Sequence, residues 1–215
     1  MPYTAEQLII LAAMLPVLVA SGAAAYRFRT LPPAGRWLAA LVWFALAVEI
    51  VSRVCWVLRI NNLFLWPIYM SGELALLLGV FSFEWPRLRR AAGVLAALFV
   101  AGVLAEQLWR RGQPLVINNL ARSVESVLLM AVALGYLVRS LREPAAAGEL
   151  WRRPLLWVSL GLLVFFAANF FIYLFINYAL NYSQTLNNYI WTTHAGLNLL
   201  LYAAYTYALW ISPPK

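Results

Sequence analysis

Seven long apolar runs, separated by short stretches rich in Arg, Pro or Asn, account for most of the chain. They cover roughly residues 5–25, 37–59, 63–83, 91–108, 115–138, 154–177 and 189–211. Each is close to the ~20 residues an α-helix needs to cross the hydrocarbon of a bilayer. The pattern predicts an all-α integral membrane bundle of seven transmembrane helices, forming one domain over residues 1–215 with no room for a second. Pro114 and Pro154 sit where runs begin, which suits a residue with no N–H to donate. Pro16 and Pro67 fall inside runs and predict kinks in the first and third helices. The first run opens with Glu6 and no basic residue, whereas a signal peptide opens basic, so it reads as a retained helix.

Charge sets the orientation. Arg27, Arg29, Arg36, Arg87, Arg89, Arg90, Arg139, Arg142, Arg152, Arg153 and Lys215 fall on one side of the seven runs, against Arg59, Arg110 and Arg111 on the other. The positive-inside rule places the larger set in the cytoplasm, hence the N-terminus outside and the C-terminus cytoplasmic. Trp37, Trp85, Trp109, Trp151 and Trp210 lie near run ends, as an interfacial aromatic belt would. The net charge of +8 therefore reads as topology-setting charge, and no nucleic-acid partner is expected. Composition agrees: 64% of the chain is hydrophobic and 11% charged, far from a soluble domain. Cys55 is the single cysteine, which excludes an intramolecular disulfide and a Cys-based metal site.

Several polar residues remain inside the runs: Glu49, Arg53, Glu73, Arg122 and Glu125, with Asn169, His194 and Asn198. A charged group on a lipid-facing helix centre costs at least about 2.5 kcal/mol, so these should face the bundle interior. Counted from the outer ends of the runs, Arg53, Arg122, Asn169 and His194 form an upper layer roughly 11 Å deep. Glu49, Glu73, Glu125 and Asn198 form a lower one roughly 16 Å deep. Glu49 and Arg53 are i,i+4, Tyr69 and Glu73 are i,i+4, and Arg122 and Glu125 are i,i+3, so each pair shares a helix face. Trp191, His194, Asn198, Tyr202 and Tyr205 make one stripe on the seventh run, and Asn169 and Tyr173 another on the sixth. The first and fourth runs carry no charge in their middles and are expected at the lipid-facing periphery.

Three glutamates against two arginines leave one negative charge in excess. It calls for a shared proton, a charged His194 or a bound cation. Glu73 has no basic residue on its own run and is expected to look to His194, making a pH-responsive pair. Purely structural ties between helices are the alternative reading of the same residues.

Several chemistries are excluded. The only lysine is Lys215, so covalent retinal, which needs a lysine in the last helix, is ruled out. The chain has no Asp, no phosphate-binding loop and no His-Glu-x-x-His or Gly-x-Ser-x-Gly motif. One histidine excludes a His-rich metal site; Glu49, Glu73, Glu125 and His194 leave only an oxygen-rich one open. No cofactor or metal is expected.

Four stretches resemble an uncharacterised family of short bacterial seven-helix integral membrane proteins. They are Asn61-Asn62 with Tyr69 and Glu73; Arg122-Ser-Val-Glu125; Ala167-Ala-Asn169-Phe-Phe; and Trp191-Thr-Thr-His194-Ala-Gly-Leu-Asn198. This chain has Pro67 where such relatives are expected to carry a histidine, which weakens any two-histidine site. The resemblance implies a bacterial inner-membrane protein, working beside a sensor kinase or another membrane partner.

The functional expectation is a ligand-sensing or signalling protein with its polar pocket in the outer half of the bilayer. A small amphipathic ligand would meet Arg53, Arg122 and His194 with its polar head and lay its tail among Trp66, Phe166 and Trp191. A membrane-embedded enzyme acting on a lipid or isoprenoid, and a small transporter or proton pathway, are the alternatives.

Overall fold

The computed structural model describes residues 14–109, 119–142, 147–182 and 184–214. Seven helices organise them: α1 (Met14–Arg27), α2 (Pro33–Val57), α3 (Leu65–Glu84), α4 (Pro86–Trp109), α5 (Asn119–Arg142), α6 (Pro154–Tyr182) and α7 (Gln184–Ile211). A single turn, Ala147–Leu150, precedes α6, and there is no strand among the described residues.

Five of these are long and apolar enough to cross a membrane: α2, α3, α4, Leu120–Arg142 of α5 and Pro154–Leu174 of α6. The described part of α1 has 14 residues, short of the ~20 required. At 28 residues α7 is about 42 Å long, but Asn187, Asn188, Thr192, Thr193 and His194 make its first half polar.

Proline marks the helix starts. Pro33, Pro86 and Pro154 each occupy a first helical position, where the missing N–H has no partner to lose. Pro67 differs from expectation: α3 begins at Leu65, so it sits in the first turn rather than mid-helix and breaks no internal bond. Pro114 and the first half of the first run lie outside the described residues.

Six helices close a ring in the order α1, α2, α3, α5, α6, α7, and α4 lies outside it, packed mainly on α3. The expectation of a peripheral first helix is corrected here. Val17, Ala20, Ser21 and Ala24 of α1 are buried, and α1 bridges α2 and α7. Small and apolar residues pack into a bundle as readily as charged ones, so the lack of charge was no guide to position. Peripheral α4 is as expected, with only 11% of its apolar window buried.

The ring is solid at one end. Leu74, Leu77, Leu78 and Phe81 of α3 meet Leu129 and Ala133 of α5, Leu162 of α6 and Leu201 and Tyr205 of α7, all essentially inaccessible. Gly161 allows α6 and α7 to approach closely, since a Cβ there would stand 2.8 Å from the Ala204 Cβ. Basic residues tie the helix ends beyond this core. Arg27 donates to the carbonyls of Trp210 and, at 2.8 Å, Ser212, and Arg139 donates to the Glu84 carbonyl at 3.0 Å. Cations there meet the negative ends of α7 and α3.

Candidate functional site

The polar residues collect at the other end of the ring, near the C-terminus of α2 and α6 and the N-terminus of α3, α5 and α7. On α2 one helical turn separates Glu49 and Arg53, and both the Nε (2.9 Å) and Nη2 (2.8 Å) of Arg53 reach Glu49 Oε1. This pair is about one-third exposed.

Arg122, 1% exposed, is the hub. Its Nη1 lies 2.5 Å from Glu125 Oε2 on its own helix and 2.5 Å from Glu73 Oε2 on α3. Those two oxygens are therefore within about 5 Å of each other, close enough for strong mutual repulsion unless cation or proton intervenes. The other carboxyl oxygen of Glu73 accepts the Tyr69 hydroxyl at 3.0 Å. Four rings surround the guanidinium carbon: Phe166 at 5.2 Å, Tyr173 at 5.3 Å, and Trp66 and Tyr69 at 5.8 Å. A desolvated cation gains up to about 2 kcal/mol from each such face, which helps offset its burial.

The expected pairing of Glu73 with His194 is corrected by this arrangement. Glu73 takes its cation from a neighbouring helix, and His194 turns to Asn169 instead, with Nδ1 2.6 Å from Asn169 Oδ1. The Asn169 amide is oriented by its own donation from Nδ2 to the Phe165 carbonyl at 2.8 Å. Its Oδ1 can only accept, so His194 Nδ1 carries the proton. In the neutral ring, Nε2 is then left with its lone pair. Rings of Phe165, Tyr173 and Trp191 pack 5.5–6.1 Å from the imidazole and fix its plane.

Between these groups lies a cavity of about 430 Å³, within the usual range for small-molecule sites. Of the residues singled out from sequence, Glu49, Arg53, Tyr69, Arg122, His194 and Asn198 line it. Glu73, Glu125 and Asn169 stand behind that wall, each at most 1% exposed, and act on the cavity through Arg122 and His194. Trp66 and Trp191 line it too, whereas Phe166 is fully buried beneath Arg122. The α6 C-terminus and the α7 N-terminus each run about five residues beyond the expected run ends, and Asn169 and His194 meet each other across the two helices.

Among the described residues, two buried donors of the wall residues have no hydrogen-bond partner: Trp66 Nε1 and Arg122 Nε. Sequence reasoning had Asn62 only through the resemblance and missed Ser52, whose Oγ accepts from Asn62 Nδ2 at 2.8 Å on the cavity wall. It missed Glu106 as well, whose Oε2 accepts the Ala121 N–H at 2.9 Å and so caps the first turn of α5 from α4. A carboxylate at the end of an apolar run was the available signal. Among the described residues no three His, Cys, Asp or Glu side chains gather around a point where one metal ion could sit.

Comparison with known protein families, with characterised proteins and with solved structures returned no match.

Proposed function

We propose that this chain is a ligand-sensing multi-pass membrane protein whose cavity takes a small molecule from the outer side. The supporting observation is the cavity itself: about 430 Å³, walled by Trp56, Trp66, Tyr69, Tyr173, Trp191 and Tyr202, with a few fixed polar groups among them. Apolar walls with sparse, oriented polar groups are the general form of a small-molecule site.

In this reading α1 and α7 also span, giving seven crossings. The end carrying Arg27 and Arg139 is cytoplasmic, with the C-terminus beside it, and the cavity opens on the opposite face. The membrane is the bacterial inner membrane, and a separate membrane partner such as a sensor kinase reads the basic loops. Two observations favour sensing over the alternatives. The cytoplasmic half of the ring is filled by Leu74, Leu77, Leu78, Phe81, Leu129 and Leu162, which opposes a transport path. The carboxyls best placed for acid–base work, Glu73 and Glu125, are held by Arg122 and lie outside the cavity wall, which opposes an enzyme.

The test is mass spectrometry of the full chain released from mild detergent, with Trp66→Ala and Trp191→Ala alongside. A small molecule held by the parent chain and lost in the variants supports the reading. Parent and variants that carry nothing, and show no fluorescence change with any added amphipath, overturn it. Reporter fusions in the Arg139–Arg153 loop check the orientation: activity of an external reporter there refutes it.

A further inference from the structure

Resting on that reading, we infer that the occupant is a neutral aromatic molecule bearing a hydroxyl, a membrane-soluble phenol or quinol, which donates to His194 Nε2.

Charge comes first. The arginines at the cavity are each held by a carboxylate, Arg53 by Glu49 at 2.8 Å and Arg122 by Glu73 and Glu125 at 2.5 Å. An anionic head would add negative charge where glutamate already outnumbers arginine. A cationic head fares no better. The carboxylate on the cavity wall, Glu49, comes with Arg53 attached, and the next cation beyond it is Arg122. Neutral ligands carry neither penalty.

Hydrogen bonding then selects among neutral ligands. The Asn169 amide fixes His194 as the Nδ1–H tautomer, so the neutral ring offers an acceptor and not a donor. His194 is part-buried and lines the cavity, so that acceptor is within reach of an occupant. A ligand hydroxyl satisfies it, whereas an ether or ester oxygen meets it lone pair to lone pair. The same hydroxyl oxygen can still accept, and Trp66, whose Nε1–H has no partner among the described residues, belongs to the adjoining wall. Tyr173 packs against the imidazole at 6.1 Å and against Trp66 at 5.8 Å, so these groups form one cluster.

Shape completes the argument. Trp66, Tyr173, Trp191 and Phe165 meet one another or His194 edge-to-face or tilted at 5.5–6.1 Å. Walls of ring faces and edges favour a flat aromatic guest in offset or T-shaped contact.

His194 is the single histidine of the chain, which gives an unusually direct test. ¹⁵N-histidine labelling of the whole protein in detergent yields one imidazole. It should show a protonated Nδ1 and an unprotonated Nε2. Adding decyl-hydroquinone should shift the Nε2 resonance and quench tryptophan fluorescence, whereas its dimethyl ether, dodecyl phosphate and dodecyltrimethylammonium should do neither. Plain hydroquinone, lacking the tail, separates a water-borne phenol from a membrane-borne one: binding equal to the decyl compound assigns the phenol to the aqueous phase. His194→Gln should weaken decyl-hydroquinone binding by about tenfold, and Asn169→Leu should weaken it while changing the tautomer signal. An Nε2–H tautomer, or a dimethyl ether or charged probe bound as tightly as the hydroquinone, overturns the phenol assignment and leaves the cavity as a site for another class. No response to any probe, together with nothing retained on purification, overturns the cavity reading itself.

Discussion

Glu73 and Arg122, 49 positions apart on α3 and α5, meet at 2.5 Å in a part of the bundle closed to solvent. Arg122 is at the same distance from Glu125, so one guanidinium holds two carboxyls. Replacing Arg122 by Met would leave both carboxyls facing each other unpaired. The expected loss is about 3–5 kcal/mol, as for other broken buried pairs. Glu73→Gln should cost clearly less, because the remaining Glu125 and Arg122 then balance. Unfolding in mixed micelles gives the order; equal losses in the two variants would refute the shared-cation account.

Arg53 and Glu49 form the contrasting pair. About one-third exposed, they gain little from each other, and Arg53→Gln should change stability by less than about 1 kcal/mol. The same unfolding series checks it. A loss comparable to that of Arg122→Met would mean that the pair is buried in the membrane-embedded protein.

Glu106 caps α5 from a neighbouring helix. Glu106→Ala should cost about 0.5–2 kcal/mol, the usual effect of removing a side-chain cap. Hydrogen exchange should rise at the Ala121 amide and its neighbours while the α6–α7 pair stays protected. Unchanged exchange in that first turn would show the contact to be incidental.

Two glycines should respond oppositely to the same change. Gly161→Ala sets a methyl 2.8 Å from the Ala204 Cβ, forcing α6 and α7 apart at a cost of about 1–3 kcal/mol. Gly102 on α4 has nothing within 4 Å of its added Cβ, so Gly102→Ala should be neutral or slightly stabilising through helix propensity. Thermal denaturation of the two variants side by side is sufficient.

Much of this molecule is legible along one strand of text. Runs of apolar residues bounded by Arg and Pro mark the helices, and spacings of three or four place Glu49 with Arg53, Tyr69 with Glu73, and Arg122 with Glu125. Those are intrahelical facts, governed by 3.6 residues per turn. The pairs that define the site are interhelical. That Arg122 reaches Glu73, and His194 reaches Asn169, depends on the ring order and on how each helix is rotated in it, neither of which has a local signature. The same gap explains α1. Its Val17, Ala20 and Ala24 read as lipid-facing because nothing in them distinguishes a neighbouring helix from a hydrocarbon chain. The helix bounds of α6 and α7 differ from expectation because hydrophobic length is not helix length: their polar turns continue the helices beyond the apolar runs.

The solid end of the ring bears on how an occupied cavity would make itself felt. Interiors packed like this one are stiff, with little compressibility to absorb a push. Phe166 and Glu125, directly behind Arg122, are fully buried, and so is Leu129, one turn further along α5. A guest that displaced the guanidinium would therefore drive α5 and α3 as levers instead of denting the core. At the far end of those levers the Arg139–Glu84 contact would register the stroke.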